Sequence, residues 1–270
     1  MTGSIPDAHA GPSDRLVAIS HTDQPILASD AVEAQANRPK SAARTAPKWE
    51  QEVRERLALQ VRRFQRPLKE LRDRQANEGD TRLLVTDFLC DVLGYDKYSH
   101  LTTEYQVRGE FADYGIRLDG EVLAFVEVKR IGTRLGIRQL RQVEMYAVNE
   151  GVEWMVLTNG AEWHVYHIEG GLPVIIDLVF SFDLSATGGP EALAELFYLS
   201  YESLKRKQID ELWRVKRATS PQSLAQAMMS ELVLAVVQKE LRRITGHRSD
   251  PQDLRQLIRE TAIRPECFDR

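Results

Sequence analysis

Between Lys48 and Arg74 the apolar residues Trp49, Val53, Leu57, Val61, Phe64, Leu68 and Leu71 recur every three or four positions. Such spacing gathers them on one side of a helix, so an amphipathic helix is predicted over residues 47–76, bent near Pro67. The opposite side interleaves Arg54, Arg62, Arg66 and Lys69 with Glu50, Glu55, Glu70 and Asp73, which reads as a solvated face rather than a phosphate-binding stripe. The following stretch, NEGDTRLLVTDFLCDVLGYD, predicts a second helix. Asn77 or Asp80 would cap it, Gly94 would close it, and Leu84, Phe88, Leu89, Val92 and Leu93 would turn inward.

The period then drops to two. TTEYQVR, FADYGIRL and EVLAFVEVKR predict consecutive strands, the last two joined across Asp119-Gly120, a strong hairpin signal. A helix is expected over residues 137–149, ended by Gly151, followed by two strands, WMVLTNG and EWHVYHI, that meet at Asn159-Gly160. Helix, three strands, helix and two strands make an α/β sandwich with a mixed sheet over residues 77–187. Beyond Gly188-Gly189-Pro190 the pattern is helical. One amphipathic region runs to about Ala218, a helix capped by Ser220 starts at Pro221 and runs through QSLAQAMMSELVLAVVQKELRRITG, and a last short helix opens at Ser249-Asp250-Pro251. Residues 188–270 carry no nameable chemistry and are expected to be a satellite of the sheet domain or a surface for a homodimer or a partner protein. Residues 1–46, rich in Ala, Ser, Pro, Thr and Asp without periodicity, are expected to form a disordered tail.

At 270 residues, with 43% hydrophobic and 28% charged side chains, the chain has enough apolar surface for a real core. A net charge of -4 provides no global basic field, so a nucleic-acid partner would have to be met by local Arg/Lys patches or by metal ions at the site. Cys90 and Cys267 are the two cysteines, too few for a disulfide framework or a Cys-based zinc site. The start, MTGSIPDAHAGPSD, lacks a cationic segment leading into an apolar one, and no run of about 18 apolar residues occurs, so neither a secretion signal nor a membrane span is expected. A reducing cytoplasm fits this composition.

Chemistry concentrates in one stretch, DYGIRLDGEVLAFVEVKR, residues 113–130. Strand alternation puts Glu127 and Lys129 on one face and Val126 and Val128 on the other. Charges inside so apolar a strand cost several kcal/mol per ion, on the order of the desolvation penalty, unless something compensates. If Asp113 reaches the same face, two carboxylates and an ammonium converge, a set that suits Mg²⁺ with several retained waters. Register decides whether it does. A strict two-residue hairpin at Asp119-Gly120 would pair Asp113 with Val126 and turn it away, whereas a bulge or a three-residue loop would pair it with Glu127.

An Asp followed after a hairpin by Glu-x-Lys on an apolar strand resembles the PD-(D/E)xK phosphodiesterase superfamily, with Ala112 in place of the usual Pro before Asp113. Gln142-Val-Glu-Met-Tyr146-Ala147 resembles the QxxxY element of the N-terminal nuclease domain of type I restriction enzyme R subunits. LTNGAEWHVY resembles that family's next strand, turn and strand, and NEGDTRLLV with LGYD resembles the opening helix of its stand-alone relatives. The resemblance implies a restriction-endonuclease-like fold that hydrolyses DNA with Mg²⁺, or Mn²⁺ as a substitute. Asp113 and Glu127 would be metal ligands with the Val128 carbonyl as a third, Lys129 the catalytic lysine, Glu78 an auxiliary acid, and Gln142 and Tyr146 would face the substrate backbone. No GxxxxGK[ST] loop occurs, so an ATP site and the R-subunit motor are not expected.

Simpler readings stand beside these. Glu127 and Lys129 could be an exposed ion pair, Gln142 and Tyr146 ordinary surface residues of an amphipathic helix, and Glu78 a first-turn acid favoured by the helix dipole. Arg130, Arg134, Arg138 and Arg141 could meet DNA phosphates or simply be solvated, and Glu104 reads as a strand-face charge. His164 and His167 would fall on opposite strand faces and so not pair on a metal. The alternative to a nuclease is a non-catalytic DNA-binding or regulatory module in a restriction or phage-defence complex.

Overall fold

The computed structural model describes residues 46–107, 110–139, 148, 150–171, 174–185 and 189–268. The expected N-terminal tail, Arg141, Gln142, Tyr146 and most of the helix expected after the third strand therefore lie outside the described residues.

The first helix, α1 (Lys48–Asp73), buries Val53, Leu57, Val61 and Leu68 on the face its periodicity marks out, and Pro67 lies within it. Helix α2 (Glu78–Asp87) is capped by the Asn77 side chain, which accepts from the Asp80 N–H, and continues as a π-helical turn over Phe88–Val92. Gly94, with φ 84°, then turns the chain toward the sheet. In that sheet β1 (Leu101–Val107), β2 (Glu110–Leu118), β3 (Glu121–Val128), β4 (Trp154–Thr158), β5 (Glu162–Glu169) and β6 (Ile175–Asp183) lie in sequence order. Neighbours are antiparallel except β3 and β4, which run parallel, so the sheet is mixed and the chain crosses over between them.

Both faces of the sheet are covered. Val126, Val128, Val156, Trp163 and Phe182 join α1 and α2 residues such as Leu57, Val85 and Phe88 in the larger core, while Phe125, Met155, Leu157, Tyr166 and Leu135 form a smaller one on the other side. Each such side chain contributes about 1.5–3 kcal/mol by leaving water. Double coverage explains why β4 is buried throughout.

Three expectations need correction. The sixth strand, IIDLVFSFD, follows the two strands expected last; a register shift against β5 at Val165/Tyr166 and the exposed Leu178 blur the alternation that would have marked it. The single amphipathic region expected up to Ala218 is instead α3 (Pro190–Leu196), a 3₁₀ turn, α4 (Tyr201–Lys205) and α5 (Gln208–Ala218), broken by the Ser200 cap and by Lys207 at φ 54°. The one helix expected from Pro221 is divided by the Ser230 cap into α6 (Pro221–Met228) and α7 (Glu231–Thr245), and α8 (Pro251–Thr261), capped by Asp250, follows. Among the described residues no helix is long and apolar enough to cross a membrane.

Candidate active site

The β2–β3 hairpin sets the site. Its loop is the two residues Asp119 and Gly120, with φ 51° and 92°, the paired positive angles of a type I′ turn. Leu118 pairs with Glu121 and Arg117 with Val122, but Ile116 then pairs with Ala124. Leu123 is the extra residue, a bulge that advances the register by one. Tyr114 therefore pairs with Val126, the last pair of the hairpin, and this register carried one residue further sets Asp113 against Glu127. The tight loop and the bulge occur together, and the bulge decides the outcome.

Asp113 and Glu127 are held by different groups. Asp113 Oδ2 accepts from the Val128 N–H at 2.7 Å, and Oδ1 accepts from Arg82 Nη1 at 3.1 Å. Glu127 Oε1 accepts from Lys129 Nζ at 2.6 Å. With its side chain 8% exposed, Glu127 is not half of a solvated surface pair. Burial is the largest influence on both acids and raises them above the ordinary carboxylate range, while the Val128 N–H and Arg82 partly offset it at Asp113 and Lys129 partly offsets it at Glu127. Glu78 adds to the upward push on both, which places its charge within reach of them. At Lys129 burial opposes the ammonium, but the hydrogen bond and charge of Glu127, with Glu78 and Asp113, outweigh it and raise its pKa.

The walls are fixed by hydrogen bonds. The Lys129 N–H donates to the Thr158 carbonyl at 2.7 Å, continuing the β3–β4 pairing past Val128. Asn159 Oδ1 accepts from the Ala161 and Glu162 N–H groups, and its Nδ2 donates to the Thr133 carbonyl at 2.9 Å. Thr81 Oγ1 accepts from the Ile131 N–H at 3.1 Å, so α2 and the Thr158–Glu162 turn both hold the chain that leaves Lys129. Gly160, φ 84°, approaches α2 so closely that a Cβ would stand 3.4 Å from Leu84 and Thr81 side-chain atoms.

Asp113, Glu127 and Lys129 are thus brought together, with Glu78 at the start of α2 near enough to influence all three. Val128 points into the larger core and contributes its N–H to Asp113. Arg130, Arg134 and Arg138 are exposed on the segment that follows. Glu104 falls between the pairs Thr103–Tyr114 and Tyr105–Ala112, across from Asp113, with a left-handed backbone at φ 49°. Arg82 is the residue the sequence reading missed. It follows Glu78 by four positions and so shares its helix face, a spacing that would have singled it out.

Among the described residues no group of three or more His, Cys, Asp or Glu side chains forms a ready cation cage. The donor set nevertheless fits Mg²⁺, which is usually held by one or two carboxylates and waters. Two buried carboxylates, with Asp113 pushing Glu127 upward and Glu78 pushing both, beside one ammonium and one guanidinium, would gain from a divalent cation.

Residues 77–173 match the family described as Type I restriction enzyme R protein N terminus (HSDR_N). That segment contains α2, β1 to β5 and every residue of the site. Neither the curated proteins nor the solved structures contain a match to the chain.

Proposed function

We propose that this protein is a metal-dependent endonuclease that hydrolyses DNA phosphodiester bonds, built on a PD-(D/E)xK-type sheet and resembling the R-subunit nuclease domain without its ATP-driven motor. One observation carries the reading: beyond the Leu123 bulge, Asp113 accepts from the N–H of Val128, the residue between Glu127 and Lys129, while Lys129 donates to Glu127 at 2.6 Å. Asp113 and Glu127, with the Val128 carbonyl, would hold Mg²⁺, or Mn²⁺ in its place. Bound there, the cation would supply charge stabilisation for the phosphate under attack.

The chain's own residues divide the remaining work. Lys129 Nζ orients the attacking water and offsets charge that develops on the phosphate oxygens. Water oxygen bonds to phosphorus and its proton passes to solvent, while the bond to the leaving oxygen breaks and that oxygen takes a proton from solvent, giving a phosphate monoester and a hydroxyl end. Glu78 adds negative charge that keeps the Lys129 ammonium protonated. Gln142 and Tyr146 would face the nucleic-acid backbone, and Arg130, Arg134, Arg138 and Arg141 would meet flanking phosphates.

A cleavage assay tests the reading, using plasmid and linear DNA with Mg²⁺ or Mn²⁺ and comparing wild type, Asp113→Ala and Lys129→Ala. Cutting by wild type that both substitutions abolish, with circular dichroism unchanged, is the expected result. Equal cutting by all three would trace the activity elsewhere, and salt-dependent binding without cutting would favour a non-catalytic DNA-binding module.

A further inference from the structure

Asp113 has two partners of different kinds, one for each oxygen. The Val128 N–H on Oδ2 belongs to the β3 backbone, which pairing with β4 through Val128–Thr158 holds in place. Arg82 on Oδ1 is the end of a side chain that is 38% exposed and can leave by rotating its own dihedrals. Its 3.1 Å contact is also longer than the roughly 2.7–2.9 Å usual for a charge-assisted bond.

The base of Arg82 is held far more firmly than its head. Its carbonyl accepts from the Tyr114 hydroxyl at 2.8 Å, which ties α2 to β2 at this residue, and from Thr86 Oγ1 one helical turn further along α2 at 2.9 Å. Arg82 therefore has a fixed root, a mobile guanidinium and an open side toward solvent. Its guanidinium occupies an oxygen that a divalent cation would need, and two cations so close repel. Phosphate oxygens match a planar guanidinium as well as a carboxylate does.

We propose that Arg82 is a positioning residue with two alternative partners: in the free protein it neutralises Asp113, and with a divalent cation held at Asp113 and Glu127 it turns to a phosphate oxygen of the bound nucleic acid. The inference rests on the nuclease reading and adds a coupling to it. Arg82 opposes metal binding when nucleic acid is absent and strengthens phosphate binding when metal is present, so each ligand raises affinity for the other.

The test uses the full chain as wild type, Arg82→Ala, Arg82→Gln and Asp113→Asn, with thermal unfolding to confirm that each is folded. Mn²⁺ is first titrated calorimetrically without DNA. Arg82→Ala and Arg82→Gln are expected to bind Mn²⁺ about two- to fivefold more tightly than wild type, the scale of a competing part-exposed ion pair, and Asp113→Asn to lose binding. Affinity for a DNA duplex is then measured against salt, with and without Mn²⁺, at a temperature and time where the duplex stays intact. With Mn²⁺ the Arg82 variants should lose about one phosphate contact from the salt slope, and without it none. Equal or weaker Mn²⁺ binding by the Arg82 variants, alongside normal wild-type binding that Asp113→Asn abolishes, overturns the role of Arg82 and leaves the nuclease reading intact. A slope change independent of Mn²⁺ also overturns it. Wild type that binds no Mn²⁺ removes both.

Discussion

Lys129 donates to Glu127 at 2.6 Å although the two lie only two residues apart on one chain. Strand alternation puts them on the same face, and the burial of Glu127 makes the ammonium its near-obligatory partner. The same pair therefore supports the fold and, in the proposed reaction, the chemistry.

Those two roles separate by substitution. Lys129→Ala leaves a buried carboxylate without its donor and is expected to lower stability by about 1–3 kcal/mol. Glu127→Gln removes the negative charge but keeps the shape and should cost less, while both abolish cleavage. Urea unfolding beside a plasmid assay checks the pair; full activity in Glu127→Gln would remove Glu127 from the site.

Two glycines test backbone and packing independently. Gly120 has φ 92° and a Cβ there would meet nothing within 4 Å, so Gly120→Ala should cost about 1 kcal/mol from backbone strain alone. At Gly94 a Cβ would stand 2.9 Å from Arg56 Nη2, whose guanidinium grips Glu202 at 2.5 and 2.7 Å. Gly94→Ala should therefore cost more, about 2–3 kcal/mol. Thermal melts of the two variants rank them, and equal losses would show that the Arg56–Glu202 contact is not strained by the change.

Stability should fall in mild acid through His167, which is stacked on Trp213 at 4.7 Å and edge-on to Trp154 at 5.0 Å. Burial lowers its pKa below 6.5, and the charges of Glu153, Glu169 and Asp177 only partly reverse that. The unfolded chain therefore binds the proton more readily, so this contribution is complete above pH 6.5 and is lost as pH falls through and below that value. His164, also lowered by burial, acts in the same direction. Denaturation at pH 7.5 and pH 5.5 should show a smaller acid loss in His167→Phe than in wild type, by roughly 0.5–1 kcal/mol.

If nucleic acid lies across the segment after Lys129, the exposed Arg130, Arg134 and Arg138 meet its phosphates. Replacing each by Ala should weaken binding similarly for unrelated sequences and lower the salt slope by about one contact. Fluorescence anisotropy with two duplexes at several salt concentrations measures this. An unchanged slope in the triple variant would place the DNA elsewhere.

Local periodicity made much of this protein legible. Residues three and four apart marked the buried face of α1, Asn77 could be read as a cap, Asp119-Gly120 as a hairpin, and Glu127 and Lys129 as neighbours on a strand face. These features depend on contacts between residues a few positions apart, which the sequence by itself determines through helix and strand geometry. The register of Asp113 was different. Sequence left a strict two-residue loop, a three-residue loop and a bulge all open, and the two cores agree with the bulge: Val122 packs toward the smaller one, while Leu123 and Ala124 pack toward the larger. Only tertiary structure could bring Arg82 to Asp113 across 31 residues, bury Glu127, or pair β6 with β5 despite its blurred alternation. An ion pair or a register is a choice among distant partners, and burial on both faces of the sheet makes that choice.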